Sequence, residues 1–465
     1  MVDTEQVKIP KGYKQTEVGV IPEDWEEVKV QDVCGFIVPG RNKPLRFDGD
    51  IPWITTPDLT DGRVVYQSGH ELKISKEEAK SVGSKIVPPG AVIMSCVGEL
   101  GLVAIAGCSM VLNQQLHAFL PTSKISNFYL AYALKTQENY FYSAATKTAL
   151  PYLNKDNCNA TPIALPPLKE QTAIANALFD VDNLIASLET LIAKKSAIKT
   201  AAMQQLLTGK KRLPAFVKAS EKQGAKQSSE LDNTSETAQA VQTKQTSTLN
   251  SDLYKESGEG LDAKPNQHSE VSNANNKQTT PRPGYKLTEL GEIPEDWDLE
   301  ELGSVTKYIG SGKTNTKGSG EYPLYGSTGK IGTCKEAEYE GASILVARVG
   351  ANAGSLNYVS GRYGVSDNTI MIKLGSESDI HFYKYQLIKY NLNSLVFGSG
   401  QPLITGSQLK AISLPTPSFK EQAAIANVLS DMDTELGALQ QRLSKTQKIK
   451  QGMMQELLTG KTRLI

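Results

Sequence analysis

Apolar residues recur at alternating steps of four and three positions along two long stretches of the chain. The first runs through Ile174, Leu178, Val181, Ile185, Leu188 and Ile192. The second runs through Ile425, Leu429, Met432, Leu436, Leu439 and Leu443, and Ile449 prolongs it. This spacing puts an apolar seam on one face of a helix. The sequence therefore predicts two long helices, 169–208 and 420–459, whose seams pair in antiparallel fashion.

Short apolar runs bounded by proline and glycine precede each long helix. Residues 51–54, 91–94 and 101–106 are predicted as strands, and residues 128–142 as a helix. The predicted fold class is α+β (mixed α/β), with two similar globular domains and two long antiparallel helices. The predicted divisions are a first domain with its framing segment (1–167), its long helix (168–213), a linker (214–281), a second domain (282–418) and its long helix (419–465).

The chain contains two copies of a framing sequence around interiors that differ. Residues 12–25 return at 284–297 with 11 of 14 positions identical, and residues 169–213 return at 420–464 with 23 of 45 identical. A repeat with fixed ends and divergent interiors indicates two similar readers directed at two different targets. In the first frame, Ile21 to Trp25 is predicted to be structural, with two acidic residues capping a helix start and the tryptophan docked into the domain.

The linker, the charge balance and the cysteines indicate which kinds of protein this chain can be. Residues 218–281 are rich in Ser, Thr, Gln, Asn, Lys and Glu, which predicts a disordered tether. The charge is balanced, with 50 basic and 50 acidic residues. Balanced charge argues mildly against a protein that binds DNA tightly without partners. Five cysteines without a CxxC pair predict reduced thiols, a cytoplasmic protein and no metal site.

Catalytic motifs are weakly represented. Gly310 to Thr314 resembles the end of a phosphate-binding loop, but position 307 is lysine rather than glycine. A loop that reaches a phosphate backbone and a plain solvated loop both remain open for this segment. Pro57-Asp58 with Glu71 to Lys73 imitates a metal-dependent nuclease at loose spacing. With no methyltransferase loop either, the chain is predicted to be non-catalytic.

The framing sequences resemble the specificity subunit of type I restriction–modification systems. The resemblance rests on two motifs. The first, G-Y-K-x-T-E-x-G-x-I-P-E-D-W, opens each unit. The second, L-K-E-Q-x-A-I-A followed by L-L-T-G-K-x-R-L, spans the first long helix, and it recurs along the second with F-K-E-Q in place of L-K-E-Q. The resemblance implies two target recognition domains, each reading half of a bipartite DNA site, and a helical spacer. It also implies two modification subunits that methylate adenine, and restriction subunits that cleave DNA. S-adenosylmethionine, ATP and Mg²⁺ are then expected on those partners, with no cofactor on this chain.

Base-reading residues are expected among polar and basic side chains on loops between strands. The candidates in the first domain are Arg41, Asn42, Lys43, Arg46, Thr55, Thr56, Asn113, Gln114, Gln115 and Lys147. Those in the second are Lys313, Thr314, Asn315, Lys317, Ser327, Thr328, Lys330, Arg348, Asn368, Ser399 and Gln401. The basic residues near the helix ends are predicted to form a solvated face, or else to contact DNA or a partner. The alternative function is a tandem scaffold that binds proteins without reading DNA; a nuclease is a more distant alternative.

Overall fold

The computed structural model describes residues 9–40, 42–59, 62–217, 281–314, 320–396 and 403–464. The chain divides into two compact units. Unit 1 comprises Met1–Leu191 and Leu439–Ile465, and unit 2 comprises Ile192–Ala438. Most of the predicted linker, residues 218–280, lies outside the described residues. None of the helices that are described is long and apolar enough to cross a membrane.

Unit 1 contains thirteen described strands arranged in two larger sheets and two strand pairs. The larger sheets have the orders β4-β12-β9-β10-β6 and β7-β5-β11-β8, and the pairs are β1-β2 and β13-β3. The strands are β1 Tyr13–Thr16, β2 Gly19–Pro22, β3 Glu26–Lys29, β4 Cys34–Ile37, β5 Ile51–Ile54, β6 Val64–Val65, β7 Lys73–Ile74, β8 Ile86–Val87, β9 Val92–Ser95, β10 Val103–Ala106, β11 Met110–Leu112, β12 Leu116–Pro121 and β13 Pro162–Leu165.

Several helices of unit 1 alternate with its strands or follow them along the chain. They are α1 Val30–Val33, α2 Lys76–Ser81, α3 Asn127–Lys135, α4 Glu138–Ala144, α5 Lys155–Asn159 and the first part of α6 Leu168–Leu206. The main core packs Trp25, Phe119, Tyr129 and Phe141 with apolar residues of the long helices. The prediction of one helix over 128–142 is wrong, because Thr136 ends α3 and bonds back to the Ala133 carbonyl.

Unit 2 has the same plan with different side chains. Its sheets have the orders β17-β24-β21-β22 and β19-β18-β23-β20, and its strand pairs are β14-β15 and β16-β25. The strands are β14 Tyr285–Thr288, β15 Gly291–Pro294, β16 Asp298–Glu301, β17 Thr306–Ser311, β18 Tyr322–Gly326, β19 Gly329–Cys334, β20 Tyr339–Glu340, β21 Ser343–Ala347, β22 Leu356–Val359, β23 Arg362–Val365, β24 Thr369–Leu374 and β25 Ser413–Thr416. The helices after the linker are α7 Ile380–Tyr390, α8 Gly406–Lys410 and α9 Phe419–Leu457.

Each divergent interior lies between two strands that adjoin the repeated frame. In unit 1, β3 pairs antiparallel with β13, so that Val28 lies opposite Ile163. In unit 2, β16 pairs with β25 in the same way, with Leu299 opposite Pro415. The chain therefore enters and leaves each interior at one strand pair. An interior can change in sequence and length without altering the frame, provided that its two ends still meet there.

The long helices pair in antiparallel fashion within each unit. In unit 1, Asp182 of α6 forms a 2.6 Å ion pair with Lys450 of α9. Ile174 and Leu178, which precede Asp182, share an apolar cluster with Leu457, which follows Lys450. Residue numbers thus rise along one helix as they fall along the other.

The corresponding pairing in unit 2 uses the second part of α6 and the first part of α9. Lys195 lies 2.8 Å from Glu435, and Lys199 lies 2.5 Å from Asp433. Burial raises the pKa of Asp433, but hydrogen bonds from Lys199 and Tyr385 outweigh it and lower that pKa.

The predicted seam fails at Ile449, in the unit 1 part of α9, where the side chain is 48% exposed. Thr446 is buried on that turn instead, and its hydroxyl bonds the Arg442 carbonyl.

An arginine that follows each long helix forms ion pairs with the frame of the same unit. In unit 2, Arg212 donates to both carboxylate oxygens of Glu421 at 2.9 and 2.6 Å, and to Asp296. The indole of Trp297 donates to Glu421 as well, at 3.1 Å. We call Arg212, Asp296, Trp297 and Glu421 the unit 2 arginine cluster. It joins the frame motif, the start of α9 and the end of α6.

Unit 1 repeats this arrangement with its own residues. Arg463 donates to Glu170 at 2.6 Å and to Asp24 at 2.8 Å, and the Trp25 indole donates to Glu170 at 3.0 Å. The hydrogen bond from Arg463 lowers the pKa of Asp24. The buried tryptophan confirms that this motif is structural. The prediction that Asp24 caps a helix is wrong, because β3 follows Trp25 and the carboxylate pairs with Arg463.

A glycine after each long helix allows the close contact with the frame. Gly209 and Gly460 have φ angles of 68° and 69°, which favour glycine at a helix end. A Cβ atom on Gly209 would lie 2.4 Å from the Pro294 ring, and one on Gly460 would lie 2.5 Å from Pro22. Any larger residue would therefore push the arginine segment away from the frame. The interpretation of these basic segments as a solvated face is wrong for Arg212, which is 8% exposed.

The antiparallel pairing of the long helices in each unit predicts that the covalent linker is dispensable for assembly. Fragments 1–217 and 281–465, expressed together, should purify as a one-to-one complex, because each unit contains helix residues from both fragments. Size-exclusion chromatography with mass measurement tests this expectation. A first fragment shortened to 1–191 should bind less tightly, since it lacks the unit 2 part of α6. Separate elution of the two longer fragments would contradict the pairing.

Candidate nucleic-acid interface

Five of the predicted base-reading residues come together in unit 1. Strands β5 and β11 pair in parallel, with Leu112 beside Ile54. Thr55 and Thr56 follow one strand, and Asn113 to Gln115 follow the other. Because the carboxyl ends of parallel neighbours lie at the same edge of the sheet, these side chains meet there. We call Thr55, Thr56, Asn113, Gln114 and Gln115 the first polar cluster.

Hydrogen bonds hold the first polar cluster in one arrangement. The Gln115 side-chain oxygen accepts from the Thr56 hydroxyl at 3.1 Å and from the Asn113 amide at 3.3 Å. The Asn113 oxygen in turn accepts from the Gln115 backbone. Gln114 is exposed beside this network, whereas Asn113 is buried. Ordered amides at an accessible edge suit the paired donor and acceptor of adenine in the major groove of DNA.

Unit 2 carries a second polar cluster at the equivalent place. Strands β18 and β23 are also parallel, with Tyr325 beside Val365. Ser327 and Thr328 follow β18, and Ser366, Asp367 and Asn368 follow β23. These five residues form the second polar cluster. Thr328, Asp367 and Asn368 are exposed.

Backbone hydrogen bonds establish that the two clusters correspond. The Asn113 amide donates to the carbonyl of Ile54, and the Ser366 amide donates to that of Tyr325, both at 2.9 Å. The Cys96 amide donates to the Gln115 carbonyl, as the Arg348 amide does to that of Asn368. The same backbone hydrogen bonds therefore recur in both units while the side chains differ. Such a pattern suits two readers with different sequences to read.

Three predicted basic residues lie near these clusters. Lys147 is exposed in the segment that precedes α5. This segment reaches the sheet through a β-bridge between Tyr152 and Val97, the residue that follows Cys96. In unit 2, Arg348 directly precedes the matching bridge between Val349 and Leu403, and it donates to the Ser311 hydroxyl at 3.3 Å. Lys330 is exposed on β19, opposite Tyr325. A positive charge beside a polar edge suits contact with the phosphate backbone or guanine.

Other predicted residues lie apart from the clusters or are engaged elsewhere. Asn42 is exposed, Lys43 lies 5.9 Å from the Trp53 ring centre, and Arg46 pairs with Glu78 on α2. Thr314 is buried, and its hydroxyl bonds Glu338 and the Val365 amide, which leaves it no evident base contact. Five candidates lie outside the described residues: Arg41, Asn315, Lys317, Ser399 and Gln401.

The two motifs that imitate catalytic sites have structural explanations. Gly310 and Ser311 end β17 instead of forming a loop before a helix. The next glycine, Gly312, packs so tightly that a Cβ would lie 2.2 Å from the Val365 carbonyl. Asp58 accepts from Thr55, Ser68 and Gly69. Burial raises the pKa of Asp58, but these hydrogen bonds outweigh it and lower that pKa.

Sequence reasoning did not identify Ser366 and Asp367 as part of the second polar cluster. A carboxylate at this edge can accept from the amino group of cytosine, which makes Asp367 a candidate reader. Their position directly before Asn368, after an apolar run, was the available signal. The parallel pairing that brings them beside Ser327 depends on residues about forty positions away and is not visible locally.

The comparisons with known proteins agree on one protein family. The family described as type I restriction modification DNA specificity domain matches residues 22–196 and 294–450. The MjaVIII specificity subunit of Methanocaldococcus jannaschii is 25% identical over 96% of this chain and 94% of its own length. The MjaIX subunit of that organism is 31% identical over 37% of this chain and 41% of its own length.

A solved structure supports the fold. The specificity subunit of a type I restriction–modification system from M. genitalium superposes with a TM-score of 0.56 at 14% identity, covering 97% of this chain and 98% of that one. The mixed α/β architecture with two domains and a long helix between them is therefore that of a specificity subunit. Because the family match spans most of both repeated units, the chain belongs to the type I restriction–modification DNA specificity family.

Proposed function

We propose that the first and second polar clusters each read one half of a bipartite, asymmetric DNA site. The observation that carries this proposal is that two equivalent sheet edges, held by matching backbone hydrogen bonds, present different polar side chains. Gln114 in unit 1 and Asn368 in unit 2 are exposed at these edges. Each can form the paired hydrogen bonds by which an amide recognises adenine. At equivalent positions the side chains differ, since Gln114 corresponds to Asp367 and Gln115 to Asn368, and this gives two different half-sites.

The chemistry then belongs to partner subunits. Two modification subunits dock on this chain and methylate adenine with S-adenosylmethionine, and restriction subunits use ATP and Mg²⁺ to cleave. The long helices set the number of unread base pairs between the half-sites. The balanced charge of the chain suits this division, since partners can supply most of the phosphate contacts that stabilise protein–DNA complexes.

The proposal is tested by mapping methylated adenines in DNA exposed to the chain assembled with its modification subunits. A split sequence with a constant gap is expected. Gln114→Ala should relax one half of that sequence, and Asn368→Ala the other. Each should weaken cognate binding by about 10–100-fold, the usual cost of one base contact.

Matched controls come from the same units. Gln137, which is half-buried, and Asn393, which is exposed, are polar residues outside the polar clusters. Gln137→Ala and Asn393→Ala should leave the methylated sequence unchanged. If the complex methylates DNA without sequence preference, or if neither cluster variant alters the sequence, the reader model fails. A tandem scaffold that only assembles other proteins would then explain the repeats better.

A further inference from the structure

Three metal-ligating side chains meet in the interior of unit 1, next to the first polar cluster. They are Cys96, which follows β9, His117 on β12 and Cys158 on α5. The two sulfur atoms lie 3.5 Å apart, and the Cys158 sulfur lies 3.4 Å from His117 Nδ1. Among the described residues, this is the group of His, Cys, Asp and Glu ligands close enough to share one ion.

The spacing of these atoms suits a zinc ion better than a disulfide. Zinc–sulfur bonds of about 2.3 Å at tetrahedral angles place two sulfurs about 3.8 Å apart. A disulfide requires about 2.0 Å, so the sulfurs would have to move much closer. Oxygen donors for a fourth position are also near. The Met94 carbonyl lies 3.5 Å from the Cys96 sulfur, and the Leu153 carbonyl 3.6 Å from that of Cys158.

The site lies in an apolar interior. Cys96 and Cys158 are fully buried, His117 is 2% exposed, and the Phe36 ring packs edge-on against the His117 ring. Two thiolates and a neutral imidazole around a divalent cation carry no net charge, which suits such surroundings. Two thiol protons would leave when the ion binds.

We propose that Cys96, His117 and Cys158 bind one zinc ion, with the fourth position completed by oxygen. The ion would tie α5 to the sheet beside the first polar cluster. The Cys96 amide donates to the Gln115 carbonyl, and the Leu153 amide donates to the Cys96 carbonyl. One coordination site thus fixes the segment that carries Lys147 and the strand end that carries Gln115. The absence of CxxC spacing concealed the site, because its ligands come from three distant segments.

Unit 2 provides an internal comparison. Arg348 corresponds to Cys96 by its amide bond to Asn368, and Ile370 corresponds to His117 by its register against β21. Leu409 corresponds to Cys158 by its place in the short helix α8, which follows a matching cap at Thr405. None of these three side chains is a usual zinc ligand. The proposal therefore predicts one ion per chain, bound in unit 1.

Elemental analysis of the purified full chain tests this. About one zinc per chain is expected, and Cys158→Ser should lower the zinc content at least tenfold, because a site missing one of three protein ligands holds the ion poorly. Cys334→Ser, in unit 2, and Cys108→Ser, outside the cluster, should retain it. Chain produced with cobalt in place of zinc should show near-ultraviolet thiolate-to-cobalt absorption that His117→Gln weakens.

The cobalt spectrum of the unaltered chain decides the matter if Cys158→Ser does not fold. Absence of the thiolate band from the unaltered chain would overturn the proposal. So would zinc that persists in a folded Cys158→Ser chain, since the ion would then lie elsewhere. Recovery of a Cys96–Cys158 linked peptide after alkylation without reductant would also overturn it and would assign a disulfide to the pair.

Discussion

Replacing residues 30–161 with the matching interior of a related specificity subunit should change one half of the methylated sequence. The other half and the gap between the halves should remain as they were. The physical reason is the β3–β13 strand pair, which joins the two ends of this interior and adjoins the frame. Each base pair read contributes about 1–3 kcal/mol, and well-separated contacts add almost independently. The measurement is the map of methylated adenines before and after the exchange.

The reciprocal exchange in unit 2 provides the control. Replacing 302–412, which lies between β16 and β25, should change the half-site that the first exchange left intact. Exchanging both interiors should change both halves. If one exchange altered both halves, the two polar clusters would not act separately. If neither exchange altered the sequence, the scaffold interpretation would gain support.

The repeated frames could be predicted because their signal is local. The four-and-three spacing of Ile174, Leu178 and Ile185 defines a helix without reference to the rest of the chain. Gly209 and Gly460 marked the helix ends for the same reason. Observed helices 168–206 and 419–457 begin within one residue of the predicted bounds and end two residues before them. The break at Thr136 was missed, since residues 135–139 contain no proline or glycine to mark it.

The candidate site was predicted only in part, because strand pairing between distant segments decides it. Thr55, Thr56 and Asn113 to Gln115 could be named from their residue types. That they meet depends on the parallel pairing of β5 with β11. Thr314 had the right residue type, but its hydroxyl is used inside the unit. Which of these residues contact bases stays a prediction.

The arginine clusters were missed for a related reason. Arg212 and Arg463 were grouped with the lysines that surround them, either on a solvated face or in contact with DNA or a partner. Their acidic partners lie far away in the chain, with Glu421 more than 200 positions from Arg212. Reading both frames together offers a signal: Glu170 and Asp24 recur as Glu421 and Asp296, just as Arg463 recurs as Arg212. A repeat that preserves two acids and one base predicts that they pair.

Arg212→Met should destabilise unit 2 by about 3–5 kcal/mol, the usual effect of removing one partner from a buried ion pair. The side chains of Arg212 and Glu421 are 3% and 1% exposed, so water cannot replace the lost guanidinium. Glu421 would keep the Trp297 indole as a donor but would lose its counterion. Amide hydrogen exchange measures the effect in each unit separately. Protection should fall around Trp297 and the end of α6, and remain unchanged around Trp25.

Three further variants separate charge burial from packing. Adding Glu421→Gln to Arg212→Met should restore part of the lost stability, because a neutral amide needs no counterion. Lys211→Met removes an exposed neighbouring charge and should change the stability by less than about 0.5 kcal/mol. Arg463→Met should cost less than Arg212→Met, since the Arg463 side chain is 31% exposed and water can reach the site. If Glu421→Gln gives no recovery, the loss comes from packing and the buried charge is not its cause.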